Sequence, residues 1–190
     1  MARVTKVLHA QKDYPEHNIK KGDTYYWWKF RFGGKHISLT PPKQSQLTQS
    51  DFLSTVYALQ EDIEALTTEE EDIQSFLDDI IGQLEELRDD CEDKRNNMPE
   101  QLQDSDSGSL LQERYDNLDE MISDLQGIET DGWEEVDDQT VIDDIGEKEE
   151  EDEETQEEYD SRVAERKAEM TQEKRDEILE EIQGISYQGS

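Results

Sequence analysis

At 190 residues, 31% hydrophobic and with a formal charge of −33, the chain has room for one or two domains but is too polar for one large core. Cys91 is the only cysteine, which excludes an intramolecular disulfide and a cysteine-based zinc site. No apolar run reaches the length of a membrane span and no signal-peptide core opens the chain, so the expected compartment is the cytoplasm.

The charge is divided unevenly. Residues 1–50 hold nine Lys and Arg (Arg3, Lys6, Lys12, Lys20, Lys21, Lys29, Arg31, Lys35, Lys43) against Asp13, Glu16 and Asp23, a net of +6. The remainder therefore carries −39, since +6 and −39 sum to −33. Such asymmetry points to an electrostatic partner or to the two parts meeting each other.

In chain order, Met1–Leu8 alternates in part and reads as a short strand, followed by a polar loop to Gly22. Gly22–Gly34 then holds six of the fourteen aromatic residues of Phe, Trp and Tyr type. Its order, Tyr25-Tyr26-Trp27-Trp28-Lys29-Phe30-Arg31-Phe32, is rich in strand formers and bracketed by glycine turn signals. Alternation places Trp28, Phe30 and Phe32 on one face and Lys29 and Arg31 on the other. A Gly33-Gly34 turn and a return strand Lys35–Thr40 are expected to follow. Two or three strands are marginal alone, so the aromatic face needs a cover.

A helix is predicted to start near Thr48 or Ser50. Phe52, Val56, Leu59, Ile63, Leu66, Glu70, Ile73, Leu77, Ile80, Leu84, Leu87 and Cys91 then recur at spacings of four and three, a coiled-coil heptad. One helix over 50–97 fits this register best, and a break at Leu66–Glu71, where Thr68 and Glu71 match a capping box, is the competing reading. A second seamed helix is expected over Ser109–Gln126, folded back antiparallel on the first. Leu53, Phe76, Ile81 and Met121 widen the apolar stripe, which a third helix, the N-terminal sheet or a second copy of the chain must cover; a homodimer through the helical arm is one outcome. Residues 129–154 carry fifteen acidic side chains against Lys148 and read as an acidic linker, expected to be disordered, whose first half docks through Trp133. A last helix is predicted over 155–185. The expected organisation is therefore α+β and mostly α: a small β module at 1–47, a long acidic coiled-coil helical hairpin at 48–128, the linker and the C-terminal helix.

Two surfaces are candidates for function. With the apolar seam as heptad positions a and d, positions b and c hold Glu64, Glu71, Asp72, Asp78, Asp79, Glu85, Glu86, Glu92 and Asp93. These carboxylates repeat every seven residues, about 10.5 Å along a helix, near three phosphate steps of about 3.4 Å on one DNA strand. They form either a DNA-mimicking face for a basic protein groove or simply a solvated outer face. The aromatic strand is either a small core or a single-strand platform, with Trp27 stacking on bases and Lys29, Arg31 and Lys35 holding phosphates.

No catalytic constellation is apparent. His9, His17 and His36 lack metal-ligand spacing, no nucleophile–base grouping is present, and the glycines match no phosphate-binding loop. No cofactor is expected, and the chain reads as non-enzymatic.

The residues Lys12-Asp13-Tyr14, Ile19 to Lys29 (Ile-Lys-Lys-Gly-Asp-Thr-Tyr-Tyr-Trp-Trp-Lys) and Pro41 to Ser50 resemble an uncharacterised family of small tailed-phage proteins, over about residues 10–60. The resemblance implies a phage origin and expression in a bacterial cytoplasm, and supplies no activity or ligand. Combined with the charge, it points to a binding protein that engages a host protein, such as a nucleic-acid-binding defence enzyme or polymerase, through its acidic arm. A single-stranded nucleic-acid binder whose acidic arm is autoinhibitory, and a virion assembly protein, are the alternatives.

Overall fold

The computed structural model describes residues 2–147 and 155–189 and is α+β, mostly α. Its order is β1 (Arg3–Val7), β2 (Tyr25–Lys29), β3 (Lys35–Ser38), α1 (Asp51–Ala65), α2 (Ile73–Asn96), α3 (Glu100–Gln103), α4 (Asp106–Gln126), α5 (Asp138–Ile145) and α6 (Gln156–Gly184). The chain divides into two compact units, Met1–Asp62 and Ile63–Gly189.

In the first unit β2 is the central strand of a three-stranded antiparallel sheet, flanked by β1 and β3. Strand alternation gives it two different faces. Val7, Tyr25, Trp27 and Ile37 share one face and pack with Ala10, Tyr14 and Ile19 from the loop after β1, which form a small apolar cluster. Trp28 lies on the other face, buried, with its ring stacked on His36 at 5.3 Å between centroids.

The aromatic strand is shorter than its sequence suggests. Lys29 pairs with Lys35, so the hairpin turns through a five-residue loop, Phe30–Gly34, rather than a two-residue glycine turn. Gly33, at φ +145°, supplies the backbone conformation the loop needs, and Gln49 Nε2 donates to Phe32 O at 2.7 Å. Phe32 thereby leaves the expected Trp28–Phe30–Phe32 core face and is 74% exposed.

α1 begins where expected. Thr48 Oγ1 accepts from Ser50 N–H at 3.1 Å, and Ser50 Oγ lies 3.4 Å from Leu53 N at the first turn. The single helix expected over 50–97 is, however, two helices separated at residues 66–72. Leu66 and Ile73 are both buried, so the heptad register runs across the break without revealing it. The cap of α2 is Asp72, whose Oδ1 accepts from Ser75 N–H at 2.9 Å, rather than Thr68.

The break is held from far along the chain. Trp133 Nε1 donates to Glu70 O at 2.8 Å, Arg175 Nη1 to Thr68 O at 3.0 Å, and Gln183 Nε2 to Leu66 O at 3.1 Å. Carbonyls that a continuous helix would satisfy internally are thus satisfied by side chains of later elements. Arg175 also donates to the Trp133 and Glu134 carbonyls, and its guanidinium lies 5.7 Å from the Trp133 ring centre. Replacing Arg175 by alanine is expected to cost about 1.5–3 kcal/mol, the range for hydrogen bonds to a charged group. Lysine, lacking the planar fork, should recover little of it. Urea midpoints measure both losses, and wild-type midpoints would remove Arg175 from the packing of the break.

α2 and α4 form the helical hairpin of the second unit. Gln74 meets Thr130 and Arg88 meets Asp119, so the two helices run in opposite senses. Leu77, Ile80, Leu84 and Cys91 of α2 are buried, as are Leu118, Met121, Ile122 and Leu125 of α4. Burial also raises the pKa of the Cys91 thiol. Of the stripe-widening residues, Met121 is buried and Leu53, Phe76 and Ile81 are half-buried within the single chain.

The first part of the expected linker is ordered. Trp133 is 1% exposed, α5 packs on α6, and Val141 is buried. Arg166 pairs with Asp144 at 2.8 Å and Lys167 with Asp138 at 2.6 Å, tying the two helices by charge. Residues 148–154 of that linker lie outside the described residues. No helix among the described residues is long and apolar enough to cross a membrane.

Candidate interaction surface

The acidic row survives on α2 and only there. Asp78, Glu85 and Glu92 stand seven residues apart, as do Asp79, Glu86 and Asp93, so two files of three carboxylates run beside each other along about 22 Å of helix. The rear of the same helix is buried against α4, which fixes the orientation of the files. Glu85 is half-buried and the other five are exposed. Among the described residues none of the six joins an ion pair; the α2 cations Arg88 and Lys94 turn instead to Asp89, Asp119 and Asp90. Asp78 accepts a hydrogen bond from Gln74 Nε2 at 2.9 Å, one turn away.

The remaining three predicted residues separate from the row. Glu64 lies in the last turn of α1, where its backbone carbonyl accepts from Gln183. Glu71 sits in the break, and the Asp72 carboxylate is occupied as the α2 cap. The nine-residue face thus becomes a six-residue one, because the helix on which it depended stops at Ala65.

What sequence reasoning did not include is the contribution of α4. Asp106, Glu113 and Glu120 repeat at the same seven-residue interval, and all three are exposed. The same periodicity count that found the α2 files would have found this one.

The aromatic–basic candidates come together differently from the expectation. Lys29 and Lys35 are directly opposed across β2 and β3, and Lys35 Nζ sits 4.4 Å from the centre of the Trp27 ring. Trp27 is half-buried in the apolar cluster and covered by a lysine, so it does not offer the open stacking face expected of it. Arg31 lies outside the strand, in the loop, with its guanidinium 5.4 Å from the Phe32 ring centre.

A strongly charged cleft of about 560 Å³ is lined by Asp131, Glu135, Asp137, Glu173, Lys174 and Glu177 among others. Four of these five carboxylates, Glu135, Asp137, Glu173 and Glu177, bond to neighbouring side chains. Thr140 donates through its hydroxyl and its N–H to Asp137, which holds that carboxyl below its ordinary pKa, and Lys174 pairs with Glu177 at 2.9 Å. General acid–base catalysis near neutral pH calls for a carboxyl shifted the other way. Among the described residues no group of three or more His, Cys, Asp or Glu is arranged to hold a metal ion. Compared with protein-family models, curated proteins and solved structures, the chain matches none.

Proposed function

We propose that the chain is a non-enzymatic, phage-encoded binding protein that presents the α2 carboxylates to a basic groove on a host protein in the bacterial cytoplasm. One observation carries the reading: six carboxylates in two files of seven-residue spacing, left without ion-pair partners among the described residues, on a helix whose opposite side is packed. Like charges held together weaken the compact state, so a surface that keeps them unpaired favours a role for the field itself. The spacing of about 10.5 Å lies close to three steps of one DNA strand, which selects partners whose groove normally holds nucleic acid. Attraction between the two surfaces speeds their encounter and weakens with salt.

The tagged protein, passed through lysate of the bacterial host, is expected to retain a nucleic-acid-binding protein that added duplex DNA releases. Retention insensitive to duplex DNA would show that a different surface or a different kind of partner is involved.

A further inference from the structure

The sheet of the first unit carries a feature that the acidic-face reading does not use. Arg3 pairs directly with Lys29, and Lys29 directly with Lys35, so one cation from each strand stands in a single row across the sheet. Directly opposed residues of antiparallel neighbours project to the same face, with strands about 4.8 Å apart. All three side chains are exposed. Like charges in such positions destabilise a sheet, and a carboxylate in the middle would relieve them. Among the described residues none is there: Lys43 pairs with Glu61 at 3.6 Å, and Arg3, Lys29 and Lys35 join no ion pair. Asp13 and Asp23 are engaged elsewhere, accepting from the backbone N–H groups of Lys21 and Lys20.

Beyond the row, the loop joining β2 to β3 adds Arg31 and the exposed ring of Phe32. A large apolar side chain at the tip of a cationic hairpin has nothing in this unit to bury it.

We propose that this end of the sheet binds single-stranded nucleic acid, with Arg3, Lys29, Lys35 and Arg31 neutralising phosphates and Phe32 offering its face to a base. The charge would suit an acidic peptide equally well, but the exposed ring beside the cations favours a ligand with planar faces of its own. Trp27 has a supporting part, holding the Lys35 ammonium over its ring at the edge of the row. This surface uses none of the α2 carboxylates, and its ligand is independent of theirs.

The full chain, titrated into a fluorescently labelled oligothymidylate at several salt concentrations, tests the assignment. Saturable binding that weakens with salt is expected, and each of Lys29→Gln and Lys35→Gln should reduce the log–log salt slope by about 0.7. Phe32→Ala should weaken binding by about tenfold at every salt concentration without changing the slope. Because it relieves the opposed charges, Lys29→Gln should also raise the melting temperature by about 1–4 °C, so its loss of binding is not a loss of fold. Absence of binding at low salt, a Phe32→Ala variant that binds as the wild type does, or displacement by polyglutamate as effective as by unlabelled oligothymidylate would each overturn the proposal.

Discussion

Replacing Trp133 by alanine is expected to destabilise the Ile63–Gly189 unit by about 3–5 kcal/mol, the range for truncating a buried aromatic side chain. The indole is 1% exposed, its Nε1 donates to Glu70 O, and the Arg175 guanidinium rests against its ring. Alanine removes all three interactions and leaves the Glu70 carbonyl at the α1–α2 break without its donor. Trp133→Phe, which keeps most of the apolar volume but not the donor, should cost only about 1 kcal/mol beyond the change in packing. Urea unfolding followed by circular dichroism separates the two variants. An alanine variant as stable as the wild type would mean that residues 129–136 are not docked as described.

The same residue shows how far the sequence could be read. Its docking was legible, because a tryptophan in a run of carboxylates has few reasons to be there except burial. The break it closes was legible only as the competing reading, from the capping-box match of Thr68 and Glu71, while the unbroken register favoured one helix. Seven residues separate Leu66 from Ile73, one full heptad, so two helices and one helix leave the same apolar register. What distinguishes them are carbonyl acceptors on Leu66, Thr68 and Glu70 meeting donors on Gln183, Arg175 and Trp133, more than sixty positions away in each case. No local pattern encodes a partner at that separation. The predicted acidic face divided for the same reason: the α2 files depend only on periodicity within one helix, whereas Glu64, Glu71 and Asp72 depended on the helix continuing. In the sheet, strand composition located β2, but Gly33-Gly34 read as a two-residue turn hid the five-residue loop. That error moved Phe32 from a core face to an exposed tip and left Trp27, expected to be open, half-covered by Lys35.

Reversing Asp78, Asp79, Glu85, Glu86, Glu92 and Asp93 together to lysine changes the charge by twelve units, from −33 to −21, all of it on one helix. Five of the six are exposed and the sixth is half-buried, so each substitution should cost little stability, within about 0.5 kcal/mol for surface positions. Capture of a basic partner is expected to fail, because attraction becomes repulsion along the whole α2 face. Electrostatic steering contributes about 10–10³-fold to association rates, so the loss should be evident in the on-rate even where some contacts remain. Reversing Asp106, Glu113 and Glu120 on α4 provides the comparison. A smaller loss is expected there, since one file of three replaces two. Equal losses from the two helices would mean that net charge, rather than the α2 arrangement, governs binding.

The decisive measurement is displacement. A labelled DNA duplex is bound to the host protein retained by this chain, and its release is followed by anisotropy as the chain is added. The wild type should displace the duplex competitively, with a midpoint that rises with salt, and the six-site α2 variant should leave the duplex bound at any concentration. Release by the variant as efficient as by the wild type, or a ternary complex in which the duplex stays bound beside the wild-type chain, would contradict a function built on the α2 carboxylates.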